Sequence, residues 1–108
     1  MKPFKFFQKY ASTLPNWYEN YVVKKIYECR LNGTIPTDNI YYFNHYGEIK
    51  CIIIRRVNYD GLFPLRTNII IDYELYHINP SGPNTFEDHS FTIDEEEFNR
   101  LGQSYERV

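Results

Sequence analysis

The sequence predicts an α+β domain. Its sheet is a small antiparallel β-meander of three to four strands, with N-terminal helices and a short C-terminal helix packed on one face. Three observations carry this. Apolar residues recur at helical spacing through residues 4–31, strand-like runs occupy residues 40–78, and a capping signal opens a last helix over residues 93–102. Helices and strands segregated along a chain in this way belong to α+β architectures. At 108 residues the chain reads as one domain, long enough to bury roughly two-thirds of the surface it exposes when unfolded.

Phe4, Phe7, Ala11 and Leu14 share one helical face, so residues 4–13 read as a short helix opened by Pro3 and stopped by Pro15. Asn16 with Glu19 three residues later is a capping box, and Tyr18, Val22, Ile26 and Cys29 form the buried side of a second helix. Asn32-Gly33 ends it, since glycine accepts the left-handed conformation. A competing strand over the same segment would align Tyr21, Val23, Tyr27, Cys29 and Leu31; the two caps favour the helix.

Thr34–Asn39 is a loop. Ile40–Phe43 and Glu48–Val57 read as a hairpin, with Gly47 in the left-handed position of the turn. Ile52-Ile53-Ile54 is apolar on both faces, which marks a central strand. Asp60-Gly61 and Pro64 place a turn within Asn58–Thr67. The cleanest alternation lies over Asn68–Ile78, with Ile69, Ile71, Tyr73 and Leu75 on one face and Asp72 and Glu74 on the other. A loop follows over Asn79–Asn84, then a short strand around His89–Phe91. Thr92 and Glu95 form a second capping box, with Asp94, Glu95 and Glu96 in the first turn, Phe98, Leu101 and Tyr105 inward, and Gly102 as the end.

Composition narrows the function classes. Net charge is −2, distributed as a gradient: residues 1–30 carry six basic and two acidic side chains, and residues 84–108 carry two basic and seven acidic. That is not the uniformly basic balance of a nucleic-acid binder, and the two ends are expected to pack near one another or to face a charged partner. No apolar run approaches the roughly 20 residues that span a bilayer. The basic and apolar opening of the chain is stopped by Lys9 before it reaches export length, so a cytoplasmic protein is expected and the sequon Asn32-Gly33-Thr34 is read as chance. Cys29 and Cys51 form no paired-cysteine motif and read as reduced, partly buried thiols.

Candidate chemistries are thin. Cys29 and Cys51 with His45, His77 and His89 supply the residue types of thiol catalysis, but both cysteines fall on apolar faces. Glu87-Asp88-His89 with His77 is the only local cluster of metal-ligand types and lacks zinc-site spacing. Asp72 and Glu74 share a strand face at a glycosidase-like separation, yet cross-strand pairing with Arg55, Arg56 or Lys50 explains them equally. Phosphate-loop and nucleophile-elbow motifs are absent. No cofactor and no enzymatic reaction is implied.

Aromatics make up 19% of the chain, eleven of them tyrosines, against one alanine. More rings than a core can absorb point to a recognition surface, because tyrosine gives contact area at small entropic cost and arginine joins it at binding hot spots. The expected function is non-enzymatic protein binding, with Tyr41, Tyr46, Arg55, Leu62, Phe63, Arg66 and Tyr76 as partner-binding residues. Small size and an AT-rich coding flavour suit a phage- or mobile-element-encoded inhibitor or immunity-type protein. The alternative is single-stranded nucleic acid held on Tyr41, Tyr42, Phe43 and Tyr46 beside Lys50, Arg55 and Arg56.

Overall fold

Strand alternation decides the architecture, and it is strongest in the middle of the chain. A computed structural model describes residues 16–61 and 67–106, with side chains through residue 103. In order these form helix α1 (Trp17–Asn32), strands β1 (Ile40–His45), β2 (Glu48–Asp60), β3 (Asn68–His77) and β4 (Thr85–Asp94), and helix α2 (Glu95–Glu106). The strands make one antiparallel meander in the order β1-β2-β3-β4, and the chain is an α+β fold as predicted. The predicted helix over residues 4–13 lies outside the described residues.

Helix α1 begins where its capping box predicts. Asn16 Oδ1 accepts the Glu19 N–H at 2.8 Å, and the Asn16 N–H reaches Glu19 Oε1 at 3.3 Å. Gly33 closes the helix at φ 72°, a conformation that costs glycine little. Val22, Val23 and Ile26 are its buried residues, with Tyr18, Tyr21 and Tyr27 packed beside them.

Those side chains meet one face of the sheet. Ile52 and Ile54 of β2, Ile69, Ile71, Tyr73 and Leu75 of β3, Ile93 of β4 and Phe98 of α2 complete the core. Burying each such side chain is worth roughly 1.5–3 kcal/mol, so this single face holds the domain together. The alternation predicted for β3 holds through Leu75. In β2 it is interrupted: Ile54 pairs with Tyr73 and Arg56 with Asp72, which leaves Arg55 as the extra residue of a bulge. Beyond the bulge Val57 and Tyr59 face the helices, and Tyr59 receives a hydrogen bond from Arg30 of α1.

Three sequence expectations are corrected. The sheet does not end at residue 78, because β4 is a ten-residue strand; most of it is exposed at the sheet's edge, so its polar sequence shows little alternation. Thr92 does not cap α2: it stays in β4, and Asp94 Oδ1 accepts the Glu96 N–H at 2.7 Å instead. Gly102 does not end α2 but lies buried within it. A Cβ there would overlap the Tyr27 ring, so the glycine is required for close approach of α2 to α1. The two helices, one from each end of the charge gradient, pack side by side.

Candidate functional site

Both described helices lie on one face of the sheet, so the other presents alternate residues of all four strands. Register aligns them in rows. Tyr42 pairs with Cys51, Cys51 with Tyr76, and Tyr76 with Phe86, giving one row across the whole sheet. The next row runs Ile40, Ile53, Glu74 and Asp88. On the hairpin side, Asn44 is opposite Ile49, and Ile78 donates its N–H to the Ile49 carbonyl at 3.2 Å. Four large apolar residues stand open in this region: Ile40 at 54%, Tyr42 at 65%, Ile49 at 54% and Phe86 at 52% relative exposure. Phe86 stacks on Tyr76 with ring centroids 5.1 Å apart, and Cys51 is buried between its neighbours.

Away from the hairpin the same face becomes charged. Arg55 bridges two acids, Asp38 at 2.9 Å and Glu74 at 3.1 Å, while Arg56 Nε donates to Asp72 at 2.7 Å. The Tyr76 hydroxyl donates to Glu74 at 2.9 Å. The Arg55 hydrogen bond holds the Glu74 carboxyl below its ordinary value, with Tyr76 adding to the effect. A hydrogen bond from Ser90, and then Arg56, does the same for Asp72. Solvent screens such exposed pairs, so they organise charge on the surface more than they stabilise the fold. The cross-strand alternative to a carboxylate pair is therefore the arrangement present: both acids are engaged by arginines.

On the helix-covered face, Lys50 is buried. Its Nζ donates to Tyr18 Oη at 2.6 Å and lies 3.4 Å from His45 Nδ1, with Glu48 at 3.5 Å. The Tyr18 hydrogen bond raises the Lys50 pKa above its ordinary value against the opposing effect of burial. Sequence reading set Lys50 beside Asp72 and Glu74; alternation through Lys50, Ile52 and Ile54 turns it the other way. At the β4 edge His77 and His89 converge on Glu87, with Nε2 atoms 3.0 and 2.8 Å from its two oxygens. Hydrogen bonds from His89 and then His77 hold the Glu87 carboxyl low. No group of three or more ligand-type residues positioned for a metal ion occurs among the described residues. No described helix is long and apolar enough to cross a membrane.

The expected partner-binding residues divide. Arg55 and Tyr76 lie on the uncovered face, and Tyr46 projects from the β1–β2 turn at 93% exposure. Tyr41 does not join them: its ring packs against the core on the helix side, and its hydroxyl donates to the Pro36 carbonyl at 3.1 Å. Leu62, Phe63 and Arg66 lie outside the described residues. The aromatic and basic set suggested for nucleic acid is also split, with Tyr41, Phe43 and Lys50 on the covered side and Tyr42 and Arg55 on the other. Ile40, Ile49 and Phe86 were missed. In Ile40-Tyr41-Tyr42-Phe43 every residue is apolar or aromatic, so alternation alone cannot assign faces. The signal that could have done so is the turn, because pairing His45 with Glu48 sets Tyr42 opposite Cys51.

Compared with known proteins, the chain matches no family model, no curated protein and no solved structure.

Proposed function

We propose that this protein is a non-enzymatic protein-interaction module and that its docking surface is the uncovered sheet face. One observation carries the reading: the row Tyr42, Cys51, Tyr76 and Phe86, flanked by Ile40 and Ile49, forms an apolar and aromatic strip on the side opposite both helices. Exposed apolar strips of this kind, rimmed by polar groups, favour protein contacts. The rim here is the ion-paired set Arg55–Glu74–Asp38 and Arg56–Asp72, which would set orientation and partner choice more than affinity. The fitting partner offers an apolar anchor to the strip and a polar margin to the rim. Such a surface suits an inhibitor or immunity-type role, in which the face occupies a site on another protein.

The test is affinity capture from the source cell with matched variants. Phe86→Arg is expected to abolish capture of a specific protein that wild type retains, while Arg100→Ala on α2 keeps it. Equal capture by wild type and Phe86→Arg would remove the sheet face as the docking site. Binding of a labelled single strand at low salt and its release at high salt would instead favour nucleic acid.

A further inference from the structure

We propose that the outer edge of β1, which has no neighbour among the described residues, is a self-association strand, pairing antiparallel with β1 of a second copy about a two-fold axis at Tyr42. The backbone fixes which groups are available. Tyr46 and Gly47 have φ 54° and 81°, so the β1–β2 hairpin closes through a two-residue type I′ turn. In such a hairpin the flanking residues His45 and Glu48 exchange both backbone bonds, and alternate pairs do so after them. Phe43 and Tyr41 therefore bond inward to Lys50 and Ile52. Ile78 supports this phase independently, because its N–H reaches the Ile49 carbonyl, which places Ile49 among the β2 residues that bond β3. Ile40, Tyr42 and Asn44 consequently aim their N–H and C=O groups away from the sheet, at the edge where β1 has no described neighbour.

The strand itself carries none of the devices that keep edges apart. Its sequence, Ile-Tyr-Tyr-Phe-Asn-His, has no proline, lysine or carboxylate, and its register with β2 is unbroken. The opposite edge differs: β4 carries Glu87, Asp88 and Asp94, which would set like charges against one another in a self-pairing.

A second copy is the occupant whose register fits. Antiparallel neighbours that face each other directly must share a sheet face. With the axis at Tyr42, Tyr42 meets its own copy, Ile40 meets Asn44, and Tyr41 meets Phe43, so every pair satisfies that rule. The outward groups of Ile40, Tyr42 and Asn44 then bond their counterparts, and the two four-stranded sheets become one of eight strands. The half-exposed Ile40 and the open Tyr42 ring gain cross-strand neighbours. The apolar row of one protomer continues through Tyr42 into that of the other.

Sedimentation equilibrium of the full chain from micromolar to millimolar concentration tests this without any partner, so its result is separate from the docking proposal. Wild type is expected to move from one chain mass to two as concentration rises. Tyr42→Lys sets two ammonium groups across the axis and is expected to raise the dissociation constant by about tenfold or more. Tyr42→Pro removes only an outward N–H and is expected to leave a folded monomer. Phe86→Lys, on β4 at the opposite edge of the sheet, is expected to dimerise like wild type. Hydrogen exchange on wild type reads the same interface without substitution: the Ile40, Tyr42 and Asn44 amides gain protection as concentration rises. A single chain mass throughout, a dimer that survives in folded Tyr42 variants, or unchanged protection at those amides would overturn the proposal.

Discussion

The two faces of the sheet come from alternate residues of the same strands, yet they spend their apolar side chains differently. On the covered face Ile52, Ile54, Ile69, Ile71, Tyr73 and Leu75 are nearly or wholly inaccessible and interlock with α1 and α2. On the open face Ile40, Tyr42, Ile49 and Phe86 remain about half exposed or more. Apolar content therefore does not by itself measure contribution to stability. What matters is whether a second layer removes it from water.

This contrast can be broken by experiment, beginning where the effect is greatest. Phe98 is wholly buried where α2 meets the sheet, and Phe98→Ala is expected to lower stability to urea by about 3–5 kcal/mol. Gly102→Ala pushes a methyl group into the Tyr27 ring and is expected to cost about 1–3 kcal/mol, seen as a lower melting temperature. Asn16→Ala removes the cap that starts α1 over the covered face, and urea titration should register about 1 kcal/mol.

The pH dependence of stability is a smaller effect and belongs to the open face. Hydrogen bonding to Arg55 holds Glu74 below its ordinary pKa of 4.5. Its contribution is fully present above the unfolded value and is lost as pH falls through the folded one. Melting temperatures measured downward from pH 5 should therefore decline less steeply in Glu74→Gln than in wild type. The smallest change is expected from Phe86→Ser, within about 0.5 kcal/mol of wild type in urea. A loss approaching that of Phe98→Ala would mean that the open face is a second core, and the contrast would fail.

Local signals were legible in the sequence wherever chemistry is tied to a fixed spacing. Asn16 with Glu19 marked a helix start, Gly47 a turn, and Ile69 to Leu75 a strand with a definite inner face. Signals that depend on a distant neighbour were not. Nothing near Gly102 in the chain reveals the Tyr27 ring against which it packs. The polar run Thr85–Asp94 pairs with β3 through its backbone, which side-chain periodicity does not report. Of the candidate site, Tyr76 follows the alternation of β3 that sets Asp72 and Glu74 on one face, and Arg55 shares that face because the bulge falls just after Ile54. Tyr41 and Tyr42 were indistinguishable by composition, and only the turn separates their faces.

The bulge at Arg55 also makes one residue of β2 dispensable to the strand's register. Removing that one residue would join Ile54 directly to Arg56 and keep every later pairing with β3, so Val57 and Tyr59 would still face the helices and Arg56 and Asn58 the open side. A deletion of one codon here would thus remove the bulge and the bridge from Asp38 to Glu74, and leave the far half of β2 facing as it does now.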